Sequence, residues 1–213
     1  MTIELDHFFI LTDKVASLAK QISSIGLIEG TSNNHPGQGT ANRRFFLPNS
    51  TLELIYVRDV NEALHGRGSR LRFVERASDS IASPFGLIAR SVTEFKDTPF
   101  PGWHYYPEYF GDGQYFHVGE NSDLLEEPLC VCMPMNLSRP EIPSESENPL
   151  WTLTELRISV PVVQPTPPLE ALSKCKGVSL RLNEPHRMEI VFNEKKEGRT
   201  KEMTLKYPVV INW

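Results

Sequence analysis

Residues His35 to Val57 read H-P-G-Q-G-T-A-N-R-R-F-F-L-P-N-S-T-L-E-L-I-Y-V: a loop carrying two glycines, then two runs suited to strands. Gly37 and Gly39 let the loop backbone fold back without side-chain clashes, and Pro48-Asn49 marks a tight turn between the runs. In the second run Thr51, Glu53, Ile55 and Val57 share one face, while Leu52, Leu54 and Tyr56 share the other. Glu53 therefore stands among apolar neighbours. An ionised carboxylate there is costly unless it is paired, hydrogen-bonded or bound to a metal, so its position asks for a chemical reason.

Upstream, residues Glu4 to Leu11 alternate as a buried strand, with Leu5, His7, Phe9 and Leu11 expected on one face and Asp6, Phe8 and Ile10 on the other. Taken alone, His7 reads as a core histidine holding one hydrogen bond. Val15, Leu18, Ala19, Ile22 and Ile25 recur at helical spacing before Gly26, and Leu27 to Ser32 suits a second strand. The order through Asp59 is thus βαβββ.

This order, carried by L-D-H-F-F-I-L at 5 to 11, H-P-G-Q-G-T-A-N at 35 to 42 and T-L-E-L-I at 51 to 55, resembles the vicinal oxygen chelate superfamily in its glyoxalase-like branch. The resemblance covers residues 3 to 58. It implies an α+β fold in which βαβββ modules form a curved mixed sheet or half-barrel around a cleft. It also implies a divalent metal (Zn, Mn, Fe or Ni) held by His7 and Glu53, with His35 as third ligand or as proton carrier beside Glu53 in catalysis. The chemistry implied is that of a metal-assisted lyase, isomerase or dioxygenase. A metal-free protein that binds or sequesters a small molecule is the alternative on the same fold, and a structural module with no ligand is a third reading.

The rest of the chain is organised less clearly. Residues 59–135 connect, and hold an aromatic segment from Pro99 to His117 in which Trp103, Tyr105 and His117 are candidate ligand contacts, as is Asn42 from the first module. Residues 136–149, rich in Pro, Ser and Glu, read as a linker. Residues 150–213 form a β-rich unit in which Glu155 and Glu189 can be laid on His7 and Glu53, although Arg157 shares a face with Glu155. Either this unit or the strands near residues 84–135 supplies the second module, and the sequence leaves both open.

Composition narrows the partners. With 27 acidic and 22 basic residues and a net charge of −5, the 213-residue chain offers no electrostatic case for nucleic acid. It has no apolar run long enough for a bilayer. The expected partners are a small molecule and a second copy in a homodimer. No basic leader precedes an apolar segment, and Cys130, Cys132 and Cys175 suit buried reduced thiols, so a cytoplasmic location is expected.

Overall fold

The computed structural model describes residues 2–93, 98–134, 144 and 147–213. In the first unit, β1 (Ile3–Leu11) leads through α1 (Val15–Ser23) to β2 (Asn33–His35), β3 (Thr40–Phe46) and β4 (Thr51–Val57). Two short helices, α2 (Val60–His65) and α3 (Phe73–Ser78), connect it to β5 (Phe85–Ser91), β6 (Gly102–Tyr105), β7 (Phe116–Gly119) and β8 (Leu129–Met133). These strands form one sheet in the order β2-β3-β4-β1-β5-β8-β7-β6, curled through 212° into a half-barrel.

The order has an internal two-fold logic. β1 and β5 run antiparallel at the centre, each flanked by a parallel partner, β4 and β8. Antiparallel strands then complete each half. The second set of strands thus lies at residues 85–133 and continues the first sheet. The linker expected at 136–149 falls largely outside the described residues.

Alternation along the strands divides two apolar layers. Phe8, Ile10, Phe45, Leu52, Leu54, Phe85 and Leu87 point to the convex side and are almost fully buried. There they share a core with α1 and with a second sheet built by β9 (Leu153–Val160), β10 (Val178–Leu182), β11 (Arg187–Phe192), β12 (Thr200–Met203) and β13 (Val209–Asn212). Its order is β10-β9-β11-β13-β12, with α4 (Pro167–Ser173) crossing between parallel β9 and β10. Burying such side chains contributes about 1.5–3 kcal/mol each. Phe9, Leu11, Ile55, Ile88, Val118, Leu129 and Val131 face the concave side.

Three expectations are corrected here. The segment Leu27 to Ser32 is not the second strand: it is held by the Asn148 side chain on Ile28 and by an Arg43–Glu29 ion pair, and pairing with β3 starts only at Asn33. Leu5 does not share a face with His7. A bulge between Leu5 and His7 leaves Asp6 as an extra residue against β5, so that Leu5 packs on the convex core while Asp6 joins His7 on the concave side. Glu155 and Glu189 are not counterparts of His7 and Glu53 in a second site, because Arg157 pairs with both of them.

Two glycines set the geometry near the cavity. Gly39, at φ 70°, lies against α2, where a Cβ would stand 2.3 Å from the Ala63 nitrogen. Gly86 leaves the space that the Phe9 ring fills, since a Cβ there would lie 2.0 Å from the ring.

Candidate functional site: a cavity with two unlike walls

The concave side encloses a cavity of about 450 Å³, inside the usual range of about 300–1,000 Å³ for small-molecule sites. Its polar wall comes mainly from β1, β3 and β4 and the loop after β2, with Asp6, His7, His35, Gln38, Asn42, Arg44, Thr51 and Glu53. The opposite wall is Phe110 and Phe116, Val118, Leu129, Val131 and Met133 from the second set of strands, closed by Leu71 and Phe73.

At the centre, the bulge at Asp6 makes a charged cluster. One Asp6 oxygen lies 2.9 Å from His7 Nδ1, and the other accepts from Arg90 Nε at 2.9 Å. Burial opposes ionisation of Asp6, but the hydrogen bonds and charges of His7 and Arg90 outweigh it and hold the carboxyl well below its usual range. For His7 burial acts downward, and the Asp6 hydrogen bond with the Glu53 and Asp6 charges overcomes it, so the imidazole pKa is raised. An ionised carboxylate only accepts, so Nδ1 carries the proton and Nε2 is left without a protein partner among the described residues.

The second group is a chain of neutral hydrogen bonds. The Asn33 backbone N–H donates to Asn42 Oδ1 at 2.8 Å, which turns the Asn42 amide nitrogen toward Glu53 Oε1 at 3.1 Å and His35 Nε2 at 3.4 Å. His35 Nε2 is therefore the acceptor, and Nδ1–H donates to Thr40 Oγ1 at 2.8 Å. Gln38 Nε2 also donates to Thr40 Oγ1, at 2.7 Å. Burial lowers the His35 pKa, with Glu53 opposing only in part, which agrees with a neutral ring. Arg44, buried over the Phe46 ring, donates to the Thr31 carbonyl and hydroxyl oxygens.

The expected site residues fall out as follows. His7, Glu53, His35, Asn42 and Tyr105 all line the cavity. His35 lines it with both ring nitrogens facing protein groups, Nδ1 2.8 Å from Thr40 Oγ1 and Nε2 3.4 Å from the Asn42 amide nitrogen. His117 is a correction. It lies between Phe116 and Val118, which face the cavity, so alternation sends it to the other side, where it sits 2.8 Å from the Phe100 carbonyl oxygen and packs on the Phe100 ring. Trp103 is a second correction: on the outermost strand, its indole N–H donates to Ser122 Oγ and Arg70 stacks 4.4 Å over its ring, outside the cavity lining. Asp6, Gln38, Arg44 and Arg90 were not anticipated. A charged residue inside an apolar strand was the available signal for Asp6 and Arg90.

The donor set does not match a divalent ion. Among the described residues no group of three or more His, Cys, Asp and Glu side chains is placed to hold one. Two donors, His7 and Glu53, come from the first set of strands, while the facing strands present Ile88, Leu129, Val131 and Met133. A three- or four-ligand site is therefore not met by these residues.

No family model matches the sequence, and no curated protein matches it. Among solved structures the chain is similar to a hypothetical protein from Staphylococcus aureus, at 9% identity and a TM-score of 0.58, with 99% of each chain covered. A hypothetical protein from Bacillus halodurans aligns at 14% identity and a TM-score of 0.43, over 66% of this chain and 100% of that one. The first likeness extends to both sheets and concerns the fold. Among the described residues no helix is long and apolar enough to cross a membrane.

Proposed function

We propose that the chain is a metal-free small-molecule-binding protein of the glyoxalase-like kind. Its half-barrel cavity holds an amphipathic ligand, with polar atoms toward His7, Thr51 and Glu53 and an apolar, planar body against Phe110, Phe116, Val118 and Val131. One observation carries this reading: the cavity's charged side chains come from β1, β3, β4 and Arg90 of β5, while β7 and β8 across from them line it with apolar side chains alone. A structural module gains nothing from keeping ionisable side chains on the inner surface of its own sheet, where desolvation works against them. The resemblance to the vicinal oxygen chelate superfamily supports the same reading through the positions of His7 and Glu53. A cytoplasmic location belongs to the proposal too, supported by the buried, free Cys130, Cys132 and Cys175.

The test combines a thermal-shift screen of small aromatic and amphipathic compounds with calorimetric titration of Zn²⁺, Mn²⁺, Fe²⁺ and Ni²⁺ into wild type and Glu53→Gln. The expected result is at least one compound that raises the midpoint saturably, an effect weakened about tenfold or more by the substitution, and no metal uptake by either protein. Stoichiometric metal binding by wild type that Glu53→Gln abolishes would overturn the metal-free form. A screen in which no compound shifts the midpoint would overturn the binding function.

A further inference from the structure

The polar groups of the cavity divide by what the protein already satisfies and what still holds accessible surface. Asp6 is bonded to His7 and Arg90, Asn42 to Asn33 and Glu53, His35 to Thr40 and Asn42, and Arg44 to Thr31. On the adjacent strands β1 and β4, His7 Nε2, the Thr51 hydroxyl and Glu53 Oε2 have no protein partner among the described residues. The described side-chain atoms that are both unpaired and shut off from solvent lie elsewhere, on Arg76, Tyr105, His117, Asn121 and His186. His7, Thr51 and Glu53 thus keep those three atoms accessible, and all three residues line the cavity.

Their positions make one edge. β1 and β4 run parallel with His7 opposite Thr51, and Glu53 stands two residues beyond Thr51 on the same face. Burial has the largest influence on the ionisation of His7, His35 and Arg44, and in all three the Glu53 carboxylate opposes it through space. Those three side chains line the cavity, so the Glu53 carboxylate lies on the cavity side with them. Among the described residues it receives one hydrogen bond, from the Asn42 amide to Oε1 at 3.1 Å, and no ion pair. An ionised carboxylate accepts at both oxygens and donates at neither, so Oε2 is completed by an N–H or O–H. Thr51 beside it can donate, as can His7 Nε2 when the imidazole is protonated.

We infer that the ligand is a planar lactam, a ring in which an N–H stands next to a carbonyl: the N–H donates to Glu53 Oε2, the carbonyl accepts from Thr51 or His7, and the ring body lies on the apolar wall. The inference rests on the cavity being a small-molecule site and adds the class of molecule. An open-chain trans amide points its N–H and C=O in opposite directions, whereas a ring holds them cis and turns both toward one wall. A hydrogen bond to a carboxylate is about twice as strong as a neutral one, so the N–H carries the selectivity.

The test uses three probes of nearly one shape. Carbostyril carries the lactam edge on a planar two-ring body, coumarin replaces its N–H by a ring oxygen, and N-methylcarbostyril keeps the carbonyl and loses the donor. Binding to wild type and to Glu53→Gln is followed by calorimetry. Wild type is expected to bind carbostyril about tenfold or more tightly than either other probe, the margin of one charge-assisted bond. In Glu53→Gln the Asn42 amide still takes the side-chain oxygen, which leaves the side-chain nitrogen facing the lactam N–H, donor against donor. The preference for carbostyril should then fall to about threefold or less. Wild type that binds all three alike, or N-methylcarbostyril as tightly as carbostyril, would overturn the lactam assignment and leave the cavity as a binding site. That comparison needs no variant, so it is decisive however Glu53→Gln folds. A preference undiminished in Glu53→Gln would also overturn the assignment, by removing Glu53 from the contact. Failure of wild type to bind any of the three would overturn the lactam class, and the broader compound screen would then decide the binding function separately.

Discussion

The two halves of the half-barrel share a path and differ in what they present. In both, a central strand runs beside a parallel partner and two further strands extend outward, so the backbones are close to interchangeable. The first half lines the cavity with His7, Asn42, Arg44 and Glu53, the second with Phe116, Val118, Leu129 and Val131. Symmetry of the sheet is maintained by the convex face, where Phe8, Leu52 and Leu54 answer Phe85, Leu87 and Cys130 in one core. The concave face carries no such constraint. On that face the two halves present unlike side chains, polar and charged from β1, β3 and β4 and apolar from β7 and β8.

The largest expected effect comes from making the second half resemble the first. Val131 is 6% exposed on the apolar wall, with no cationic or amide side chain on its strand to receive a charge. Val131→Asp should therefore be destabilising by about 3–5 kcal/mol, the cost of an uncompensated buried carboxylate. Urea denaturation measures it. The contrasting exchange on the polar wall, Glu53→Gln, should change stability by less than about 1 kcal/mol, because the Asn42 amide still has an oxygen to bond. Equal losses in the two variants would mean that the walls differ in sequence but not in environment.

Asp6→Asn comes next and addresses the seam between the halves, since Asp6 ties His7 of β1 to Arg90 of β5. Loss of charge-assisted bonds here should be destabilising by about 2–3 kcal/mol near neutral pH. The pH dependence has two limbs of opposite sign. Asp6 has a folded pKa depressed from 3.8, so its contribution is present above the unfolded value and is lost as pH falls through the folded one. His7 has a folded pKa raised from 6.5, so its contribution is complete below 6.5 and is lost as pH rises through the folded value. Wild-type stability should thus exceed that of Asp6→Asn most between those limits, and an NMR titration should find the His7 pKa lower in the variant. An unchanged His7 pKa would show that Asp6 does not orient the ring.

What the sequence made legible follows the same divide. β1, α1, β3 and β4 were readable because alternation and helical spacing reflect burial on the convex core, which acts on every second or every third to fourth residue. The side of the sheet occupied by Glu53 followed from Leu52 and Leu54 alone. The bulge at Asp6 was hidden, because one inserted residue shifts the faces without altering composition. The satisfied state of His35 was hidden as well: it depends on Asn33, Thr40 and Asn42, a hairpin register that spacing does not specify. In the second half the wall is apolar on both faces, so β8 reads as a continuous hydrophobic run, and which residues faced the cavity emerged only from the register His117 with Cys132 and Val118 with Val131.

The smallest effect concerns a side chain that reaches from the second half to the first across the cavity mouth. Tyr109 stands with its ring 5.5 Å from that of His35 and its hydroxyl 3.4 Å from Gln38 Oε1. A bond that long, on a residue 39% exposed, contributes little, so Tyr109→Phe should lower stability by less than about 0.5 kcal/mol. Tyr109→Ala removes the ring as well and should cost about 0.5–1.5 kcal/mol, the range for aromatic pairs. The His35 ring resonances separate the two contributions, remaining in place in the Phe variant and moving in the Ala variant. If Tyr109→Phe alone moved those resonances, the hydroxyl would be coupling the two halves through Gln38 and Thr40, and the walls would behave as one network despite their unlike chemistry.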